Sequence, residues 1–328
     1  MNYGLPYKGS KNKIAAKILQ VLPKRKRLYD LFCGGCAITH AAMLSDMYEE
    51  YHINDINWMC PQLFSDAISG KFANEDRWIS REDFHNLKDK DPYVAFVWSF
   101  GNNLRDYLYG KHVEPLKKAL HYAVFFKDYT LAFNLGFDLS FLHGIASVKD
   151  RYACTRRYLD KHKTTLPNGG GEMQSLERLK RIQLTDAGML PGSQAESVPK
   201  ESGKGINTSL ESFTSLDRIR VIAEKRAQGS VLFASHGDYQ QVKIEPQSVI
   251  YCDIPYKGTN VYDKKNTFDY ERFYDWACSQ TEPVFISEYQ MPEDRFECIA
   301  EFAHRSLICA TQNKAVTERL FVPKGQKL

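Results

Sequence analysis

Apolar and polar positions fall along this chain in short blocks that predict an open α/β architecture. Residues 27–32 form a β-rich run that is stopped by Gly34-Gly35. A helical period follows over 37–47, where Ile38, Ala41, Ala42 and Leu44 recur at one-turn spacing. A second short strand ends at His52-Ile53-Asn54-Asp55, and another helical pattern runs over 60–68. Strand, glycine turn, helix and a strand ending in an acid are the opening of a nucleotide-binding βαβ unit. Strand patterns resume only at 230–234, 248–252, 283–287 and 305–311, and a last run at 319–322 is predicted to pair with its predecessor as a hairpin.

The texture changes between these halves. Aromatic helical stretches cover 93–100 and 116–126, a loop-rich span surrounds Asn168-Gly169-Gly170-Gly171, and 190–209 is rich in Pro, Gly and Ser and reads as linker or disorder. Two segments resemble each other, Ser175-Leu176-Glu177-Arg178-Leu179 and Ser215-Leu216-Asp217-Arg218-Ile219, as two amphipathic helices would. The simplest architecture is one α/β domain split by an inserted, mainly helical module. Residues 1–69 and 229–328 are its two halves and 70–228 the insert.

Composition narrows the class. The chain has 328 residues, 26% charged and 43% hydrophobic, which is ordinary for a folded protein. No apolar run approaches the ~18 residues of a bilayer span, and no apolar region follows the basic N-terminus as in a secretory signal. The expectation is an aqueous, cytoplasmic protein with no membrane partner. Eight cysteines are too few for a disulfide scaffold of this length. Cys33-Gly-Gly-Cys36 has CxxC spacing, but no second pair completes a metal site, so a tight turn of small residues is expected and no metal.

Charge is distributed unevenly around a net of +4: residues 1–30 hold eight basic side chains against one acid, Asp30. A second basic group, Arg151, Arg156, Arg157, Lys161 and Lys163, is interleaved with Tyr152 and Tyr158. Each group reads equally as a solvated face or as a track for phosphates.

The most informative stretch is Val249-Ile250-Tyr251-Cys252-Asp253-Ile254-Pro255-Tyr256, an apolar strand running into an acid, a proline and an aromatic ring. In open α/β sheets ligands bind at that end of the strands. Four further pieces precede it in order: Gly4-Leu5-Pro6-Tyr7-Lys8-Gly9-Ser10-Lys11, Asp30-Leu31-Phe32-Cys33-Gly34-Gly35, Asp55, and Gly237-Asp238-Tyr239. Together these resemble the motifs of the Dam-type (D12 class) DNA adenine-N6 methyltransferases. The resemblance covers roughly 1–70 and 228–322 and weakens sharply in the insert.

The resemblance implies a Rossmann-like methyltransferase sheet with a C-terminal antiparallel hairpin, S-adenosylmethionine as methyl donor, and double-stranded DNA as partner. It implies site-specific transfer to N6 of a flipped-out adenine by Asp253, Ile254, Pro255 and Tyr256. Tyr7, Lys11, Asp30, Phe32, Gly34, Gly35, Asp55, Asp238 and Tyr239 match the family's cofactor positions, and Lys11 is also placed to reach a carboxylate or phosphate. A cognate restriction endonuclease and a monomeric or weakly dimeric state stay open. Two departures stand out: Ile254 occupies a position where the family commonly has proline, and Cys36 replaces a third glycine. In the insert, Asn102, Asn103 and Arg105 suit base edges. Lys8, Lys111, His112, Lys117, Lys118, Arg156 and Arg157 suit phosphates. An oxidoreductase on the same opening would need the absent GxGxxG. A cytosine-N4 or RNA-base methyltransferase shares the amino-group chemistry, and a silent DNA-binding relative shares the fold.

Overall fold

The computed structural model describes residues 3–7, 9–161, 210–224, 230–257, 268–309 and 312–327. Seven strands form one sheet: β1 (Arg27–Asp30), β2 (Glu50–Asp55), β3 (Val231–His236), β4 (Ser248–Cys252), β5 (Val284–Glu288), β6 (Phe296–Cys309) and β7 (Gln312–Pro323). Their order is β3-β2-β1-β4-β5-β7-β6. The first five are parallel, with Leu28 of β1 opposite Tyr51 of β2 on one side and Val249 of β4 on the other. β7 runs antiparallel to both β5 and β6. This is an open, Rossmann-like sheet with a C-terminal antiparallel hairpin. The chain leaves β1 toward β2 and β3 and returns to build the other side from β4. The β1/β4 junction is thus the switch point at which such sheets bind ligands.

Ten helices are described: α1 (Ala15–Leu19), α2 (Ala37–Leu44), α3 (Met59–Ile68), α4 (Arg81–Leu87), α5 (Pro92–Val97), α6 (Glu114–Phe126), α7 (Thr130–Asn134), α8 (Val148–Lys161), α9 (Glu211–Glu224) and α10 (Tyr270–Ser279). Alternation along the central strands separates two cores. Leu28, Tyr51, Val249 and Tyr251 face one core together with α1–α3. Tyr29, Leu31, Ile250 and Cys252 face the other with Phe273, Tyr274 and Ala277 of α10. Every residue of β4 is buried, as a central parallel strand requires.

Helices inserted in sequence are not separate in space. Trp98, Leu120, Leu159 and Ile219 belong to the same core as Leu28 and Tyr51. The run at 215–219 lies in α9, whereas its partner at 175–179, the Gly-rich span at 168–171, and 190–209 lie outside the described residues.

Three expectations shift. α2 ends at Leu44 instead of 47, where Asp46 turns to φ +48. The strand expected at 305–311 starts at Phe296, because its early residues alternate too weakly to stand out. β3 is an edge strand, paired only with β2, and Phe233 is 47% exposed beside the His52 ring, which itself stacks on Tyr29.

Candidate active site

The cofactor-side residues are assembled by backbone bonds at the carboxyl ends of β1, β2 and β3. Asp55 ends β2 and accepts the N–H of Gly34 and of Asn57, each at 2.9 Å. Acid and glycine turn are therefore one unit. Burial raises the Asp55 pKa against the pull of those two donors. Asn54, one residue earlier, donates to the carbonyls of Leu31 (3.3 Å) and Gly237 (3.0 Å), and Gly237 N–H donates to Asp55 O at 3.0 Å. Three strand ends are stapled by one amide. Asp30 lies beneath the turn, 2% exposed, accepting from Thr39 Oγ1 at 2.7 Å, and burial lifts its pKa to about 7.

Beside this unit the Phe32 ring meets Tyr239 at 5.2 Å and Phe268 at 5.8 Å. Asp238 accepts from Gln240 N–H at 3.0 Å and pairs with Arg272 of α10 at 2.8 Å. Two carboxylates thus flank an aromatic cluster, an acceptor set that fits the ribose hydroxyls of a nucleoside.

The N-terminal segment lies across the glycine turn. Leu5 N–H donates to Gly35 O at 2.7 Å, and a Cβ on Gly4 (φ +64) would stand 2.1 Å from that same oxygen, which only glycine avoids. A Cβ on Gly35 would meet Tyr7 Cβ at 2.7 Å. Tyr7 stacks on Phe96 of α5, and Arg218 of α9 donates to Gly4 O at 2.9 Å. Cys36 caps α2 in the left-handed region (φ 54), a conformation that favours glycine. Burial raises both the Cys33 and Cys36 thiols, so they stay protonated packing groups of the turn.

That segment delivers Lys11 to Asp253. Lys11 is 7% exposed, and its Nζ stands 2.8 Å from Asp253 Oδ1, 3.5 Å from Glu318 Oε2 and 4.6 Å from the Tyr256 ring centroid. Burial alone would lower the lysine pKa, but the two carboxylates outweigh it and the net shift is upward. Asp253 follows β4 with 22% of its side chain exposed. Its pKa is about 6, pushed up by burial and by Glu318 and drawn down by Lys11.

The four residues after Asp253 are clamped. Ile254 is buried, Pro255 O accepts from Tyr270 at 3.0 Å, Tyr256 OH donates to Glu318 at 3.4 Å, and Lys257 N–H donates to Glu288 at 2.6 Å. Glu288 ends β5 and also accepts the N–H groups of Tyr289 and Gln290. Tyr289 meets Tyr256 edge-on at 4.6 Å. Sequence reasoning missed Glu318, Glu288, Tyr270, Arg272 and Arg218. Only Glu288 carried a local signal, an acid closing an apolar strand.

The insert residues lie elsewhere. Asn102 donates to Phe96 O, Asn103 Oδ1 accepts the N–H groups of Arg105 and Asp106, and the Arg105 guanidinium pairs with Asp106. These side chains build the loop they sit on. Arg156 and Arg157 are exposed on α8, and Lys111 is exposed before α6. Lys8 lies outside the described residues. Two residues leave the phosphate track. Arg151 is buried, donating to the carbonyls of Val124, Phe125, Ile145 and Ala146, and Lys117 is buried against Glu211 at 3.3 Å. Both serve the core because their helix positions face inward.

One comparison bears on the N-terminal third of the chain. Residues 7–122 match the D12 class N6 adenine-specific DNA methyltransferases. The D12 match takes in Tyr7, Lys11, the glycine turn and Asp55, and it supports methyl transfer. It stops short of Asp253 and Glu318. No curated protein matches the sequence. Among solved structures, the rRNA methyltransferase aviRa from Streptomyces viridochromogenes aligns over 97% of this chain and 86% of its own, with 9% identity and a TM-score of 0.37. No group of three His, Cys, Asp or Glu among the described residues is arranged to hold a metal, and no helix among them is long and apolar enough to cross a membrane.

Proposed function

We propose that this protein transfers a methyl group from S-adenosylmethionine to N6 of adenine in double-stranded DNA, acting in the cytoplasm. The observation that carries the reading is the 2.8 Å pair between Lys11 and Asp253. It joins the N-terminal motif to the acid after β4 at the switch point of the sheet, beside the glycine turn and Asp55.

Adenine N6 is a poor nucleophile because its lone pair is delocalised into the ring. Asp253 accepts one amino hydrogen and the Ile254 carbonyl the other, which localises that pair on nitrogen. Pro255, with fixed φ and its carbonyl held by Tyr270, keeps the Ile254 carbonyl oriented. Tyr256 stacks on the base, which must leave the duplex to reach the site at a cost of a few kcal/mol. When bound, the donor would supply a sulfonium methyl whose C–S bond breaks as the N6–C bond forms, leaving neutral S-adenosylhomocysteine, so the step is a displacement that depends on alignment more than on covalent help. Asp55 takes the ribose hydroxyls, Asp238, Phe32 and Tyr239 take the adenine, and Tyr7, Gly34, Gly35, Asp30 and Lys11 line the methionine end. A buried hydroxyl next to Lys11, Ser10 Oγ, has no hydrogen-bond partner among the described residues, which supports a ligand there. Once N6 has gained carbon, Asp253 receives the surplus proton and releases it to water. Arg156, Arg157, Lys111 and the 70–228 insert supply DNA contacts. A partner restriction endonuclease and the monomeric or weakly dimeric state belong to the same reading.

The test uses S-adenosylmethionine labelled in its methyl group, unmethylated genomic DNA, and nucleoside analysis of the product. N6-methyladenine is expected. Label found only in N4-methylcytosine or RNA, or no transfer at all, refutes the reading.

A further inference from the structure

The hairpin brings a second carboxylate to the site. β7 enters the sheet antiparallel to β5, with Ser287 opposite Leu320 and Glu288 opposite Arg319. One step further along that register, Glu318 stands beyond the carboxyl end of β5, where ligands of such sheets lie. It shares the inward face of Leu320 and Val322 yet carries a charge, and it is 7% exposed. A buried acid is costly unless it is paired. The partners of Glu318 include groups from different parts of the chain, Lys11 Nζ at 3.5 Å and Tyr256 OH at 3.4 Å.

The methyl-transfer reading poses a problem that Glu318 resolves. An ammonium 2.8 Å from Asp253 Oδ1 draws electron density from the carboxylate that must hold an adenine amino group. Were Asp253 the lysine's sole counter-ion, engaging the base would leave a buried cation partly unpaired. A second carboxylate 3.5 Å away offers the ammonium another resting place, while its other contact fixes the ring that stacks on the base.

We propose that Glu318 is a positioning residue of the active site: it holds Lys11 and Tyr256 and accepts the lysine ammonium when Asp253 turns to the target amine. This rests on the methyl-transfer reading for its purpose, but the hold itself is independent of it.

The experiment compares wild type, Glu318→Gln and Glu318→Asp as full chains whose melting temperatures are checked. One arm measures acylation of Lys11 by acetic anhydride, read by peptide mass spectrometry. Glu318→Gln is expected to lose protection and Glu318→Asp to regain part of it. The other arm follows methyl transfer against pH. Misplacement on this scale costs roughly 10²-fold in kcat, with donor KM little changed. The acid limb of the pH profile should also move to lower pH in Glu318→Gln. The charges and phenols facing Asp253 are Lys11, Glu318, Tyr256, Tyr251 and Asp30, and of the two carboxylates it is Glu318 whose charge raises the Asp253 pKa. Unchanged Lys11 protection overturns the proposal, as does lost protection with wild-type kcat and an unmoved limb. A wild type that methylates nothing defeats the methyl-transfer reading, and the acylation arm still decides whether Glu318 holds Lys11.

Discussion

Replacing Asp253 by Asn separates the demand of chemistry from the demand of stability. In the fold the Asp253 carboxyl has a pKa of about 6 against 3.8 as the ordinary value, burial being the main cause. A rise of about two units means that keeping this group ionised costs the native state about 3 kcal/mol at neutral pH. The sign follows from linkage. Below 3.8 the group is protonated in both states and costs nothing; as pH rises through 6 the native state is forced to release the proton and the full cost appears. Asn mimics the protonated form in shape and charge. Asp253→Asn should therefore be more stable than wild type by up to about 3 kcal/mol at pH 8, with the gain fading between pH 6 and pH 4. Methyl transfer should fall by at least 10²-fold, the usual loss when an electrostatic partner of the reacting group is removed. Urea unfolding at pH 8 and pH 4.5, beside a labelled-methyl assay, measures both. A variant that is inactive but whose stability gain over wild type is no larger at pH 8 than at pH 4.5 refutes the charge argument, and a variant with wild-type turnover refutes the role.

Other outcomes follow from the same geometry. Asp55→Ala removes the acceptor of the Gly34 and Asn57 N–H groups, so S-adenosylmethionine binding by calorimetry should weaken roughly 10- to 100-fold, at the scale of a lost bond to a charged group. Arg156→Ala with Arg157→Ala should flatten the salt dependence of DNA binding by up to about one unit of slope per lost phosphate contact. Arg151→Ala should leave that slope unchanged and lower stability by a few kcal/mol, because it strips a donor from buried carbonyls, as denaturant unfolding would register.

What could be read from the sequence was what is local. The turn after β1, the acid ending β2 and the acid after β4 each announce themselves within a few residues, since strand, glycine and carboxylate are neighbours in the chain. The order of these pieces then carried the resemblance. Long-range facts were not legible. Glu318 looks like one charge among many on a polar hairpin until β7 is inserted between β5 and β6. Arg151 and Lys117 look like surface cations, because sequence shows charge but not which helix face is buried. Asn102 and Asn103 have the chemistry to read bases, yet in the fold both are engaged in shaping their own loop. Cys36 shows the converse: its backbone takes a conformation that favours glycine, which its residue type does not announce.

The meeting of Lys11 with Glu318 has a consequence for biosynthesis. Lys11 and Glu318 come from distant parts of the sequence, so no contiguous fragment lacking either region contains the complete charge cluster. A nascent polypeptide that has already folded β1 and β2 lacks that cluster until β7 has been made and has joined β5 in the sheet.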